Sequence, residues 1–215
     1  MRYDPDLSRL SVQQYKDHLK CIELLPSRKV LLDVIDENFS AIQKSGIDDI
    51  QTLMKALSTT AKMTAFSQKS NIDINYLKIL KREIGGLIPK AVTLNEFDVL
   101  PPEAVLQLKS KGFNNSKDFF EAYSVIEEPI CEQIDCDKLY HICGLVRING
   151  IGSLAVKLFL EAGFTSAEDI ASADAKDMVE KINAVNSAKN YYNRKLGIKD
   201  MAFCIVHADM LMRYA

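Results

Sequence analysis

The chain has 215 residues, 47% of them apolar and 26% charged, with a net charge of −2. That length carries one large or two small domains with real cores, and that composition excludes a disordered or collagen-like chain. Apolar runs are only a few residues long, which excludes a membrane span, and Met1-Arg2-Tyr3-Asp4-Pro5-Asp6 lacks the apolar stretch of a signal peptide, so a cytoplasmic location is expected.

Charge is spread thinly. It runs +1 over residues 1–100, −3 over 101–164 and 0 over 165–215. No segment has the positive field of a dominant nucleic-acid binder, although a small local contact needs none. The five cysteines, an odd number, read as reduced thiols.

In chain order, Val30, Leu31, Val34, Ile35, Asn38 and Ile42 have the spacing of one long amphipathic helix, with Asp33, Asp36 and Glu37 outside. Ile74, Leu77, Leu80 and Ile84 mark another. It exposes Lys78, Lys81 and Arg82, a basic face that Arg28 and Lys29 would extend if the two helices are adjacent. Alternating strand patterns are nearly absent. The irregular stretch from Gly85 to Pro102 reads as the connection between two helical halves, residues 1–90 and 91–215.

Four places share one local grammar: Gly46-Ile47, Gly112-Phe113, Gly163-Phe164 and Gly197-Ile198. Glycine ends a helix in the left-handed conformation at low cost, and the apolar residue after it turns inward. Asp49, Asn115, Ser166 and Asp200, each three residues after the glycine, are expected to cap the next helix. Leu53, Phe119, Ile170 and Cys204, seven after it, are expected to bury that helix. The fold class expected is therefore all-α, a string of helices joined by Gly-turn corners.

Upstream of the third glycine stands Leu145-Val146-Arg147-Ile148-Asn149-Gly150-Ile151-Gly152-Ser153-Leu154-Ala155-Val156-Lys157-Leu158-Phe159. A short apolar helix, a Gly-hydrophobic-Gly turn, a small residue at the helix crossing and a second helix closed by Gly-Phe resemble the helix-hairpin-helix motif. In that superfamily the hairpin glycines offer backbone N–H groups to a nucleic-acid phosphate. The resemblance implies that Asn149, Gly150, Ile151, Gly152 and Ser153 form a phosphate cradle, with Arg147 and Lys157 as nearby cations. Ile151 is the expected plug between the helices, and Ala155 the crossing residue.

A partner segment lies twelve residues before Gly112, where Leu100 and Ala104 match Ile151 and Ala155. The glycines are gone, and Pro101 and Pro102, which follow Leu100, have no N–H to donate. This is the pattern of a degenerate hairpin, so the fold expected is a tandem of helix-hairpin-helix-like helical domains.

Further residues carry a wider resemblance: Leu25-Pro26-Ser27-Arg28, Leu77-Lys78-Ile79-Leu80-Lys81-Arg82-Glu83, Glu161-Ala162-Gly163-Phe164, Ala173-Asp174-Ala175 and Lys195-Leu196-Gly197-Ile198-Lys199-Asp200. With them the chain, over roughly residues 15–213, is similar to an uncharacterised prokaryotic family of the helix-hairpin-helix superfamily, a domain of unknown function. The resemblance implies a tandem helical fold and no established activity.

No catalytic constellation stands out, and no enzyme, cofactor or metal is expected. Cys131, Cys136, His141 and Cys143 fall within thirteen residues but lack the close Cys-x-x-Cys pair of structural zinc. Asp169, Asp174 and Asp177 read as helix caps and first-turn charges rather than a glycosylase aspartate. His18, His141 and His207 have no motif around them. The function expected is weak, sequence-independent contact with DNA or RNA backbone. The alternative is a protein-interaction or assembly module; no membrane partner is expected.

Overall fold

The structure, a computed structural model, describes residues 2–123 and 134–215. Among the described residues it is all-helical, with thirteen α-helices, two short 3-10 helices at Pro26–Arg28 and Leu94–Glu96, and no strand. None of these helices is long and apolar enough to cross a membrane. The chain divides into two compact units: residues 6–88, and residues 89–213 together with residues 1–5. The first five residues thus part from the unit that follows them in sequence.

The unit of residues 6–88 holds α1 (Val12–Cys21), α2 (Val30–Asp33), α3 (Ile35–Lys44), α4 (Ile50–Ala56), α5 (Thr60–Ser70) and α6 (Ile74–Gly85). The long helix expected over 30–42 is broken at Val34, where φ is −133° and ψ is 32°. Val30, Val34 and Ile35 are β-branched and hold a helix weakly. Burial of Leu31 on one side of the break and of Ile35, Phe39 and Ile42 on the other outweighs the lost helical bonds. The expected basic face is partly consumed. Arg28 pairs with Glu83, and Lys81 donates to the Ser58 carbonyl at 2.9 Å.

The other unit holds α7 (Pro102–Ser110), α8 (Ser116–Tyr123), α9 (Cys136–Leu145), α10 (Val156–Glu161), α11 (Ala167–Ala171), α12 (Ala175–Lys189) and α13 (Ile198–Tyr214). Leu94, Leu108, Phe119, Ile142, Phe159 and Ile182 are at the centre of its core. Gly46, Gly112 and Gly163 have φ of +82°, +96° and +90°. After Gly163, Phe164 N–H reaches back to Phe159 C=O at 2.9 Å, and Gly163 N–H reaches Leu160 C=O at 3.0 Å. These two bonds satisfy carbonyls that a helix end otherwise leaves unpaired. Gly197 departs from the expected grammar. Its φ is −111°, it is itself the N-cap of α13, and Asp200 reaches back to accept its N–H at 2.8 Å.

The N-terminal arm completes this core. Tyr3 is fully buried, and its hydroxyl lies 2.7 Å from Ser116 Oγ. Burial pushes its pKa up to about 12. Arg147, also buried, donates from Nε to the Tyr3 carbonyl and from Nη2 to the Arg2 carbonyl, both at 2.9 Å. The guanidinium lies 4.5 Å from the centre of the Phe120 ring and 5.7 Å from that of Tyr3. Arg147→Met removes the donors that reach the Tyr3 and Arg2 carbonyls. The expected cost is about 2–4 kcal/mol, read as a lower denaturation midpoint, with faster amide exchange at Tyr3. Arg147→Lys is expected to recover little, because one ammonium cannot reproduce the planar fork. An unchanged midpoint would contradict this account of the arm.

Candidate nucleic-acid interface

Ile148 to Ile151 form a tight turn closed by Ile151 N–H donating to Ile148 C=O at 3.0 Å. Gly150, third in the turn, has φ of +104°, the region a type II turn requires there. The plug and crossing residues lie as their types demand, with Ile151 and Ala155 both buried. Ile151 is therefore a packing residue, and its N–H is consumed by the turn. The N–H groups of Ala155 and Val156 both reach Gly152 C=O at 3.0 Å, which opens the way into α10.

Asn149, Gly150 and Gly152 are exposed and Ser153 is half-buried. Among the described residues, the backbone N–H groups of Gly150, Gly152, Ser153 and Leu154 meet no acceptor within the protein. The two glycines differ. A Cβ on Gly150 would sit 2.9 Å from Cys204 Sγ and 3.3 Å from the Phe203 ring, while a Cβ on Gly152 would meet nothing within 4 Å. Gly150 is fixed by packing on α13; Gly152 faces open space.

The two nominated cations are both engaged elsewhere. Arg147 is buried at the root of the turn and holds the N-terminal arm. Lys157 donates to Asp98 at 2.6 Å and lies 5.5 Å from the centre of the Tyr191 ring. A second run of cations lies in the segment that joins α12 to α13. Residues 189–199 contain Lys189, Arg194, Lys195 and Lys199 and no acidic residue. Lys189, Arg194 and Lys195 are exposed, and Tyr191 joins this segment to α10 by donating to Glu161 at 2.7 Å. A run of basic and aromatic residues was the signal that could have found it.

Among the described residues the metal candidates do not converge. Cys143 is fully buried, and burial holds its thiol far above the ordinary range. His141 Nδ1 lies 3.0 Å from the Thr165 carbonyl, Cys136 is half-buried, and Cys131 lies outside the described residues. Among the described residues no three His, Cys, Asp or Glu side chains gather as a metal site would need. The three aspartates act on helix ends. Asp174 accepts from the Lys176 and Asp177 N–H groups, and Asp177 lies in the first turn of α12. Asp169 closes a capping box with Ser166. Its partial burial raises the carboxyl pKa, but bonds from Thr165 and Ser166 outweigh that and lower it overall.

A domain of unknown function (DUF4332) is found at residues 107–210, which includes the whole turn and the basic segment. The match starts at residue 107, so it covers less of the chain than the resemblance traced from residue 15. No curated protein and no solved structure matches the chain.

The glycine pair gives a direct test. Gly150→Ala forces a side chain into a left-handed conformation against Cys204 and is expected to cost about 1–3 kcal/mol in a denaturant titration. Gly152→Ala is expected to stay within about 0.5 kcal/mol of the parent. A large loss at Gly152 would mean that the fold itself needs that glycine.

Proposed function

We propose that this is a non-catalytic helix-hairpin-helix protein that makes weak, sequence-independent contacts to nucleic-acid backbone through residues 149–153. One observation carries the reading: Gly152 is exposed and faces open space, beside N–H groups that meet no acceptor among the described residues. Neither backbone strain nor packing requires glycine there, whereas a phosphate approaching the N–H groups of Gly152, Ser153 and Leu154 does. The donors are held ready by a closed turn, so binding does not have to order them first.

A tandem arrangement is part of the same reading. Leu100 N–H donates to Phe97 C=O at 3.0 Å, as Ile151 does to Ile148, and Val105 N–H donates to Pro101 C=O at 3.1 Å, as Val156 does to Gly152. Ala104 is buried like Ala155. The parallel supports a second hairpin that keeps the packing and, with Pro101 and Pro102, lacks the donors. One competent hairpin and a few surface cations suit a Kd on the order of 10⁻⁴–10⁻⁶ M.

The rival reading, a protein-interaction module, draws on Leu154, which is 66% exposed beside the turn. Fluorescence anisotropy with labelled DNA at several salt concentrations separates the two. The backbone reading expects a log–log salt slope between about −2 and −3, and about tenfold weaker binding for Gly152→Val at unchanged stability. Salt-insensitive self-association, lost in Leu154→Ser, with no DNA binding at all, would favour the rival and overturn the backbone reading.

A further inference from the structure

The segment that leaves α12 carries cations between two exposed aromatic residues, Tyr191 and Phe203, each packed against the hairpin or the helix that leaves it. The segment from Asn190 to Gly197, between α12 and α13, is braced at two points. Asn186 Nδ2 donates to the Tyr192 carbonyl while Asn186 Oδ1 accepts the Tyr192 N–H, both at 2.9 Å. Asn183 repeats this with Leu196, at 2.8 and 3.2 Å. Two reciprocal side-chain amide pairs hold the segment as firmly as a short backbone ladder would. The cations Arg194 and Lys195 therefore sit on a fixed path between the two braces.

The ends of that path both return to the hairpin. At one end Tyr191 lies under the Lys157 ammonium and bonds Glu161, both on the helix that leaves the turn. At the other end α13 brings the Phe203 ring to 3.3 Å from where a Gly150 Cβ would be. Both rings stay accessible, Tyr191 being 37% and Phe203 42% exposed. Phe203 is further steadied by the His207 ring, with centroids 4.4 Å apart.

Resting on the phosphate role of the hairpin, we infer that this surface takes a single strand of nucleic acid rather than a duplex. Phosphates run along Arg194, Lys195 and the hairpin N–H groups, and bases stack on Tyr191 and Phe203. In a duplex the base faces are covered by one another, so two exposed aromatic rings add nothing to backbone contact. In a single strand each ring replaces a lost stacking partner without reading sequence. The near-neutral net charge of the chain suits such a site, where stacking supplies affinity that charge does not.

The test is a set of titrations with the full chain: 20-nucleotide oligo-dT and oligo-U, a 20-base-pair duplex, and an abasic deoxyribose-phosphate strand of equal length. Either single strand is expected to bind at least about fivefold more tightly than the duplex or the abasic strand, and the tighter of the two identifies the sugar. Tyr191→Leu and Phe203→Leu are each expected to weaken single-strand binding about fivefold and leave duplex binding unchanged. The chain contains no tryptophan, so Tyr191→Trp supplies a lone reporter. Its fluorescence is expected to be quenched by oligo-dT and not by the abasic strand, a readout that a purely structural tyrosine would not give. Equal affinity for duplex and single strand, or an unquenched tryptophan, overturns the inference and leaves the backbone reading standing. Single-strand binding that responds to Tyr191 and Phe203 but not to Gly152→Val overturns the hairpin's part instead. No binding of any strand overturns both.

Discussion

The unit that carries the candidate site is organised around one desolvated charge. Taking a guanidinium out of water costs several kcal/mol unless its donors and its faces are met. Arg147 meets them with the carbonyls of Arg2 and Tyr3 and the rings of Phe120 and Tyr3. The arm is thereby drawn into a core to which it does not belong by sequence. Its arrival places the Tyr3 hydroxyl on Ser116 Oγ, which also accepts the Val92 N–H at 2.9 Å. The connecting segment before α7 is thus tied to the start of α8. Phe120 in turn stacks on Tyr140 of α9, with centroids 4.8 Å apart and planes 5° from parallel. Each step fixes the next, and the last one fixes α9, from whose end the Gly150 turn departs. A turn rooted in so many constraints keeps its shape without help from a ligand.

The two units solve one problem in the same way. In each, a residue that starts one helical segment pairs through the backbone with the residue that caps the helix following a glycine turn. Ser11 pairs with Asp49 in the first unit, and Thr93 with Asn115 in the second. Ser11 closes a capping box with Gln14, and Thr93 closes one with Glu96. The flanking bonds correspond as well: Val12 N–H to Asp48 C=O and Ile50 N–H to Leu10 C=O in one, Leu94 N–H to Asn114 C=O and Ser116 N–H to Val92 C=O in the other. Helix starts leave several N–H groups without partners. Bringing two starts together lets each supply acceptors for the other while side chains cap the rest. A pair of helices after a glycine turn is thereby pinned to an earlier segment across tens of residues of sequence.

Much of this architecture was legible because it is local. Left-handed glycines at 46, 112 and 163, the capping residues after them and the buried positions seven residues on all follow from rules acting over one or two turns of helix. What was illegible depends on distant partners. Arg147 reads as a cation beside a glycine turn until Tyr3, far away in sequence, covers it. Lys157 reads the same way until Asp98 and Tyr191 arrive. Nor does local spacing show that Val34 breaks a helix whose apolar positions continue through it, because the deciding burial of Leu31 and Ile35 is tertiary. At Gly197 the grammar itself misled. A glycine before an apolar residue marks a helix end when its φ is positive, but Gly197 starts a helix with an ordinary negative φ, and sequence alone does not separate the two.

The charge of the site shows the same difference of scale. Over residues 165–215 positive and negative side chains cancel, and a segment average reports nothing. Yet electrostatic attraction at physiological salt decays over about 8 Å, so a phosphate responds to the charges beside it and hardly to those a helix away. Acidic Glu168, Asp169, Asp174, Asp177 and Glu180 are gathered early in that stretch, while Lys189, Arg194, Lys195 and Lys199 follow late without an acidic neighbour until Asp200. The fold then decides what each group faces. It commits the acidic Asp169 and Asp174 to helix starts and ties the basic segment by Tyr191 and Phe203 to the helices around the Gly150 turn. A nearly neutral chain thereby keeps one run of cations between two aromatic residues packed on the hairpin helices, while Arg147 beside the turn serves the core and Lys157 pairs with Asp98.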